Sequence, residues 1–244
     1  MPEDITGREL SGAVKAELRA LSKDNAEHVS RHLAAAGLFM ESDPELAFAH
    51  AETAVRSAGR VGAVREALGL TAYALERYEL AGRELRTHRR ITGRDDHLPV
   101  IADCERGRGR PEKALELYEE SRELQLTPAV RTELTIVAAG AHMDSGDTAS
   151  ARRLLEREDF RQPASPALVR LLSAYADVLE AEGDPDAGRW EELARRTAGA
   201  IGTQYGDDVD PNEDIEFLEV EEELQENAED DDEAAGEAGS GDAR

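Results

Sequence analysis

The chain has one cysteine, ten aromatic residues and nine prolines in 244 residues. A single thiol, Cys104, excludes an intrachain disulfide and fits a reducing compartment. Four phenylalanines, five tyrosines and one tryptophan are too few for the aromatic-rich interior of a β-sandwich or barrel. No long hydrophobic run is present: residues 34–40 form the longest apolar stretch, far short of a bilayer span. The first residues, MPEDITGREL, lack an apolar core of the kind secretion signals carry. The expectation is a soluble, cytoplasmic chain with no membrane contact. Positive charge is also scarce, with 29 Lys and Arg against 54 Asp and Glu and a formal net charge of −25.

What is abundant points to helix. Alanine occurs 39 times, among many Leu, Glu and Arg, all strong helix formers. The acidity is concentrated: residues 206–244 hold 18 acidic residues and one basic, a net −17, leaving −8 for residues 1–205. The C-terminal tail, residues 201–244 and almost entirely Asp, Glu, Ala and Gly after residue 227, is expected to be largely disordered. Residues 212–227 contain Ile215, Phe217, Leu218, Val220 and Leu224, a short apolar pattern that could dock on the preceding domain. Asp208, Asp210, Asn212, Asp214 and Glu219 match calcium-loop spacing, but Glu213 replaces the glycine such a loop needs, so the match reads as incidental.

Thr6 and Glu9 have capping-box spacing, which predicts a helix starting there, with Leu10, Val14, Leu18 and Leu21 on its inner face. Residues 1–24 are thus expected to form a capping segment. From residue 25 to residue 200 the chain repeats. Ala47, Ala81, Ala114, Ala151 and Gly188 recur at intervals of 34, 33, 37 and 37 residues. Twelve residues before each stands another small residue: Ala35, Gly69, Ala102, Ala139 and Ala176. Two helices folded back on each other approach closely where small side chains meet, so the pattern predicts five helix–turn–helix units. The turns agree. Pro44, Pro111 and Pro185 fall where a second helix would begin, and Asp43, Asp147 and Asp184 are placed to cap it.

A period near 34 with small residues at these two places resembles the tetratricopeptide repeat. The segment 109–118, Gly-Arg-Pro-Glu-Lys-Ala-Leu-Glu-Leu-Tyr, is similar to the second helix of that repeat, and residues 1–200 resemble actinobacterial proteins of the family. The family's early tryptophan is absent, with Arg31, Arg65, Leu98, Thr135 and Leu172 in its place. The resemblance implies an all-α solenoid of five repeats whose first helices line a concave groove for a protein or peptide segment. By register the groove candidates are Phe39, Glu66, Leu70, Tyr73, Asp103, Arg106, Glu133, Arg170 and Asp177, flanked by Val29, His32, Ala36, Ala63, Asp96, Ile136, Met143 and Glu180. Family members that clamp a C-terminal carboxylate use Lys and Asn at these places; none occurs here, so an apolar or amphipathic helix near Phe39–Tyr73 is the expected ligand.

No enzyme signature is legible, and no cofactor or metal is expected. The glycines at 107 and 109 lie in an Arg-rich turn, not in a phosphate loop. His28 and His32 share a helix face, with His50 in the next helix, and read as solvated surface residues. One cluster stands out against the acidity: Arg83, Arg86, Arg89, Arg90 and Arg94, preceded by Arg77 and followed by Arg106, Arg108, Arg110 and Lys113. With Glu79 and Glu84 among them, these residues could form a solvated helix exterior with local Glu–Arg pairs, or hold RNA phosphates or the protein's own acidic tail.

Overall fold

A computed structural model describes residues 5–202, and the expectations for the acidic tail, its calcium-like spacing and its apolar segment lie outside them. Among the described residues the chain is all-helical, with eleven α-helices, one 3-10 turn and no strand. No helix there is long and apolar enough to cross a membrane.

The first helix, α1 (Gly12–Leu18), starts five residues later than the capping-box spacing predicts, its N-cap being Ser11 rather than Thr6. Thr6 and Glu9 do bond: Thr6 donates to the Glu9 carboxylate through its backbone N–H (3.3 Å) and its hydroxyl (3.0 Å). They close a turn rather than a helix because Gly7 adopts φ +78°, which right-handed helix excludes. A side chain at Gly7 would also collide with Ser30, its Cβ lying 2.5 Å away. This contact seats buried Ile5 on the next helix, where Arg31 donates to the Ile5 carbonyl at 2.9 Å. Ser11 supplies the cap that Thr6 does not, accepting from Val14 N–H.

Five helix pairs follow: α2 (Lys23–Phe39) with α3 (Pro44–Ala58), α4 (Gly62–Ala74) with α5 (Tyr78–Thr92), α6 (Leu98–Gly107) with α7 (Pro111–Glu120), α8 (Pro128–Asp144) with α9 (Thr148–Leu155), and α10 (Pro166–Glu182) with α11 (Ala187–Ala200). Each helix packs on the next, and α2 also lies against α4, α6 against α8, and α8 against α10. Helix α1 packs on α2 and α4, and Glu17 accepts from the Ala63 N–H at 2.9 Å. A carboxylate from α1 thereby caps α4, whose own N-cap, Val61, has no side-chain acceptor.

Pro44 and Pro111 open α3 and α7 as the spacing predicts, and Asp43 and Asp147 cap α3 and α9. Pro128 and Pro166 do the same for α8 and α10. The fifth turn differs. Asp184 caps a turn, accepting from Asp186 N–H at 3.0 Å, and α11 begins only at Ala187, beyond Pro185. The delay shifts the register. Nine of the ten aligned small residues are buried, but Gly188 is exposed with nothing near it, and Ala194 and Ala198 make the buried contact of α11. Of the five residues at the expected tryptophan position of the repeat, Leu98, Thr135 and Leu172 are buried. Arg31 and Arg65 fill theirs with hydrogen bonds to carbonyls of Ile5 and Gly59.

Candidate functional site

The residues placed on the groove by register lie on the first helix of each pair, and most of them meet across neighbouring pairs. Tyr73 on α4 donates to Asp103 on α6 at 2.5 Å. Asp103 also accepts from Arg106 at 2.8 Å, and Arg106 reaches Asp144 at the end of α8 at 2.8 and 3.3 Å. The guanidinium lies against Gly140 of α8, where a Cβ would stand 2.5 Å from its central carbon. Glu133 on α8 takes the Arg170 guanidinium of α10 in a forked contact at 2.5–3.0 Å. Glu66 on α4 accepts from His97, the residue before α6, at 2.6 Å. A row of cross-helix polar contacts thus runs from α4 to α10.

Environment tunes these groups. Burial, then the Asp103 hydrogen bond, pushes the Tyr73 hydroxyl well above its ordinary pKa. The His97 hydrogen bond holds the Glu66 carboxyl below its ordinary value, with burial opposing it.

The first end of this face is apolar and aromatic. Phe39 stacks on His50, with ring centroids 6.0 Å apart and planes at 14°. His32 and His50 are half-buried and share a proton across Nδ1–Nδ1 at 2.9 Å, so the expectation that they are solvated is corrected; only His28 is exposed. Burial, then His28 and His50, lowers His32 to about 4. Leu70 is half-buried on α4, and Leu38 is 62% exposed at the end of α2. Val29, Ala36 and Ala63 are core residues, buried because their positions turn toward the partner helix. Asp96 lies in the turn before α6, held by Arg94 at 2.7 Å. Ile136 and Met143 pack on the C-terminal core, and Asp177 and Glu180 are exposed on α10.

The five basic-patch arginines do not all come together. Arg83, Arg86 and Arg90 line a cleft of about 450 Å³ with Arg108, Glu79 and Thr87. Arg89 and Arg94 instead pair with Asp95 (2.5 Å) and Asp96 in the connection to α6. Two buried carboxylates organise the rest. Glu84 on α5 binds Arg65 (2.5 Å) and Arg83 (3.0 Å), and Glu105 on α6 binds Arg86 and Arg110, with Arg108 at 3.9 Å. Burial raises the Glu105 carboxyl, but Arg86, Arg110 and Arg108 outweigh it and hold the group below its ordinary value. Arg90 has no ion-pair partner among the described residues.

Sequence reasoning missed the burial of Glu84 and Glu105 and the approach of His88 to His97. A signal existed. Glu84 and Glu105 each follow a buried alanine by three residues (Ala81 and Ala102), and His88 follows Ala81 by seven, so all lie on buried helix faces. Cys104 is buried, and its thiol is pushed up to about 12 by burial and then Asp103, which makes it an unreactive packing residue. No protein-family model matches the chain, and no curated protein sequence does either.

Proposed function

We propose that residues 25–200 form a tetratricopeptide-like α-solenoid of five repeats, capped by α1, that serves as a non-catalytic scaffold binding a peptide or helical segment on the face lined by α2, α4, α6, α8 and α10. The observation that carries this reading is the row Tyr73–Asp103–Arg106–Asp144 and Glu133–Arg170. These pairs link successive first helices and give the face a polar pattern alongside the half-buried apolar side chains of Phe39 and Leu70. A rigid, pre-ordered face of mixed polarity suits an amphipathic helix, whose ordering cost it does not add to.

Selection of displayed helical peptides against the full chain tests this. Leu70→Glu and the exposed-site variant Asp177→Lys should each weaken the selected peptides by about tenfold or more while leaving the circular dichroism spectrum unchanged. Peptides that bind both variants equally well would contradict it.

The outer cleft favours a second reading, an RNA- or ribosome-associated factor whose arginines hold phosphates and whose acidic tail competes for them. Its support is the surplus of guanidinium over carboxylate around Glu84 and Glu105 and the unpaired Arg90. Four phosphate contacts on a single strand predict about a fifty-fold loss of affinity for poly(U) between roughly 50 and 200 mM salt. Salt-insensitive binding would remove this reading.

A further inference from the structure

We propose that Glu66, His88 and His97 form a binding site for one zinc ion, which ties α4 and α5 to the start of α6. One donor atom from each of the three lies within 4.8 Å of the others. Tetrahedral zinc, with bonds of about 2.0–2.2 Å, holds its donors roughly 3.4 Å apart. Side-chain adjustments on the order of an ångström therefore close the site, and the 2.6 Å Glu66–His97 contact need open by less than that.

His88 carries the argument. Its side chain is 1% exposed, and its Nδ1 lies 3.0 Å from the Gly62 carbonyl. A carbonyl only accepts, so Nδ1 bears the proton and the neutral ring presents a lone pair at Nε2. That nitrogen is buried and has no partner. Leaving a buried acceptor empty is costly, and proteins fix metal-binding histidines by this same Nδ1–H to carbonyl bond. The His97 ring meets His88 edge-on, with centroids 5.4 Å apart.

The donor set favours a borderline transition metal over a hard cation, and zinc is the ion proposed. Two imidazoles and one carboxylate suit zinc, whereas calcium and magnesium require oxygen ligands. The Glu66 and His97 side chains are 26% and 20% exposed, so the fourth position faces solvent and takes a water. On binding, His97 changes to its Nδ1–H tautomer, the Nε2 proton it now donates to Glu66 passing to water as water supplies one at Nδ1, so that the neutral ring offers Nε2 to the metal. The place in the fold fits a clamp. Next-but-one helices pack directly at α2–α4, α6–α8 and α8–α10, whereas α4 and α6 are joined chiefly by side chains. The His28–His32–His50 group lacks this character: its central nitrogens are already bonded to each other.

The test is titration of the metal-free full chain with zinc chloride against a chromophoric chelator, with thermal unfolding and long-range nitrogen spectra of the imidazoles followed in parallel. The expected result is one tightly held equivalent that moves the ring nitrogens of His88 and His97 and leaves those of His32 and His50 in place. At free zinc about a hundred times Kd, Tm should rise by roughly 5–10 °C. His97→Ala and Glu66→Gln should each weaken binding by more than about tenfold, the least that loss of even an outer partner costs. His32→Ala should not change it. Should His97→Ala fail to fold, Glu66→Gln and the nitrogen spectra decide alone. Absence of a saturable site, binding unaffected by Glu66→Gln, or nitrogen shifts at His32 and His50 instead would overturn the proposal.

Discussion

The α4–α5 and α10–α11 pairs share a hairpin plan but bury opposite chemistry. The first encloses Thr71, Glu84 and His88 among small residues, and Gly69 sits so close to Leu85 that an added Cβ would lie 2.6 Å from its Cγ. In the second, every buried residue is apolar, apart from the phenol of Tyr175. Phe160, Tyr175 and Trp190 pack there with ring centroids 4.8–5.2 Å apart. Buried polar groups cost stability unless satisfied, so a pair that collects them gives up some of its own stability for chemistry. The α10–α11 pair anchors the fold; the α4–α5 pair, which carries Tyr73, Glu66, His88 and the arginine cleft, concentrates the candidate sites.

This contrast can be broken in graded steps. The largest effect is expected in the anchor: Leu172→Ala, at a residue 1% exposed, should cost about 3 kcal/mol by urea unfolding. Glu84→Gln should cost about 2 kcal/mol, because Arg65 stays half-buried without its carboxylate while Arg83 is free to turn to solvent. A cost near zero would mean that the buried pair merely offsets its own desolvation. The glycines separate the two pairs more finely. Gly69→Ala should destabilise by about 1.5 kcal/mol through overpacking on Leu85, whereas Gly188→Ala, in open space on α11, should stabilise by about 0.5 kcal/mol. Equal effects at the two would show that the register shift in the fifth pair is absent.

These glycines also show what was legible in the sequence. Small residues at a fixed spacing revealed the helix pairs, because close approach admits no larger side chain. They did not reveal that the Asp184–Pro185–Asp186 turn delays α11, since a proline after an aspartate reads as a helix start wherever it stands. Groove pairs such as Glu133–Arg170 were nameable as members of one face, but the pairing depends on side-chain reach between units. His97 was invisible for a different reason: it lies in a connection, and only the folded turn brings it to Glu66.

The smallest expected effect is acid sensitivity of the α4 end of the contrast. Glu66 has a lowered pKa in the folded chain, so its contribution is full above the ordinary carboxylate value of 4.5 and is lost as pH falls through the folded value. Tm measured from neutral pH down to about 3 should therefore fall less steeply in metal-free Glu66→Gln than in the unmodified protein. Parallel curves would detach Glu66 from the stability of the α4–α6 junction.

The central claim is that the face lined by the first helices is the working surface. Hydrogen exchange of the full chain with and without its tightest selected peptide tests it most directly. Protection should appear along α2, α4, α6, α8 and α10 and leave α5 and α7 unchanged. Protection confined to α5 and the α6–α7 turn, around Arg83, Arg86, Arg90 and Arg108, would contradict the claim and transfer the function to the arginine cleft.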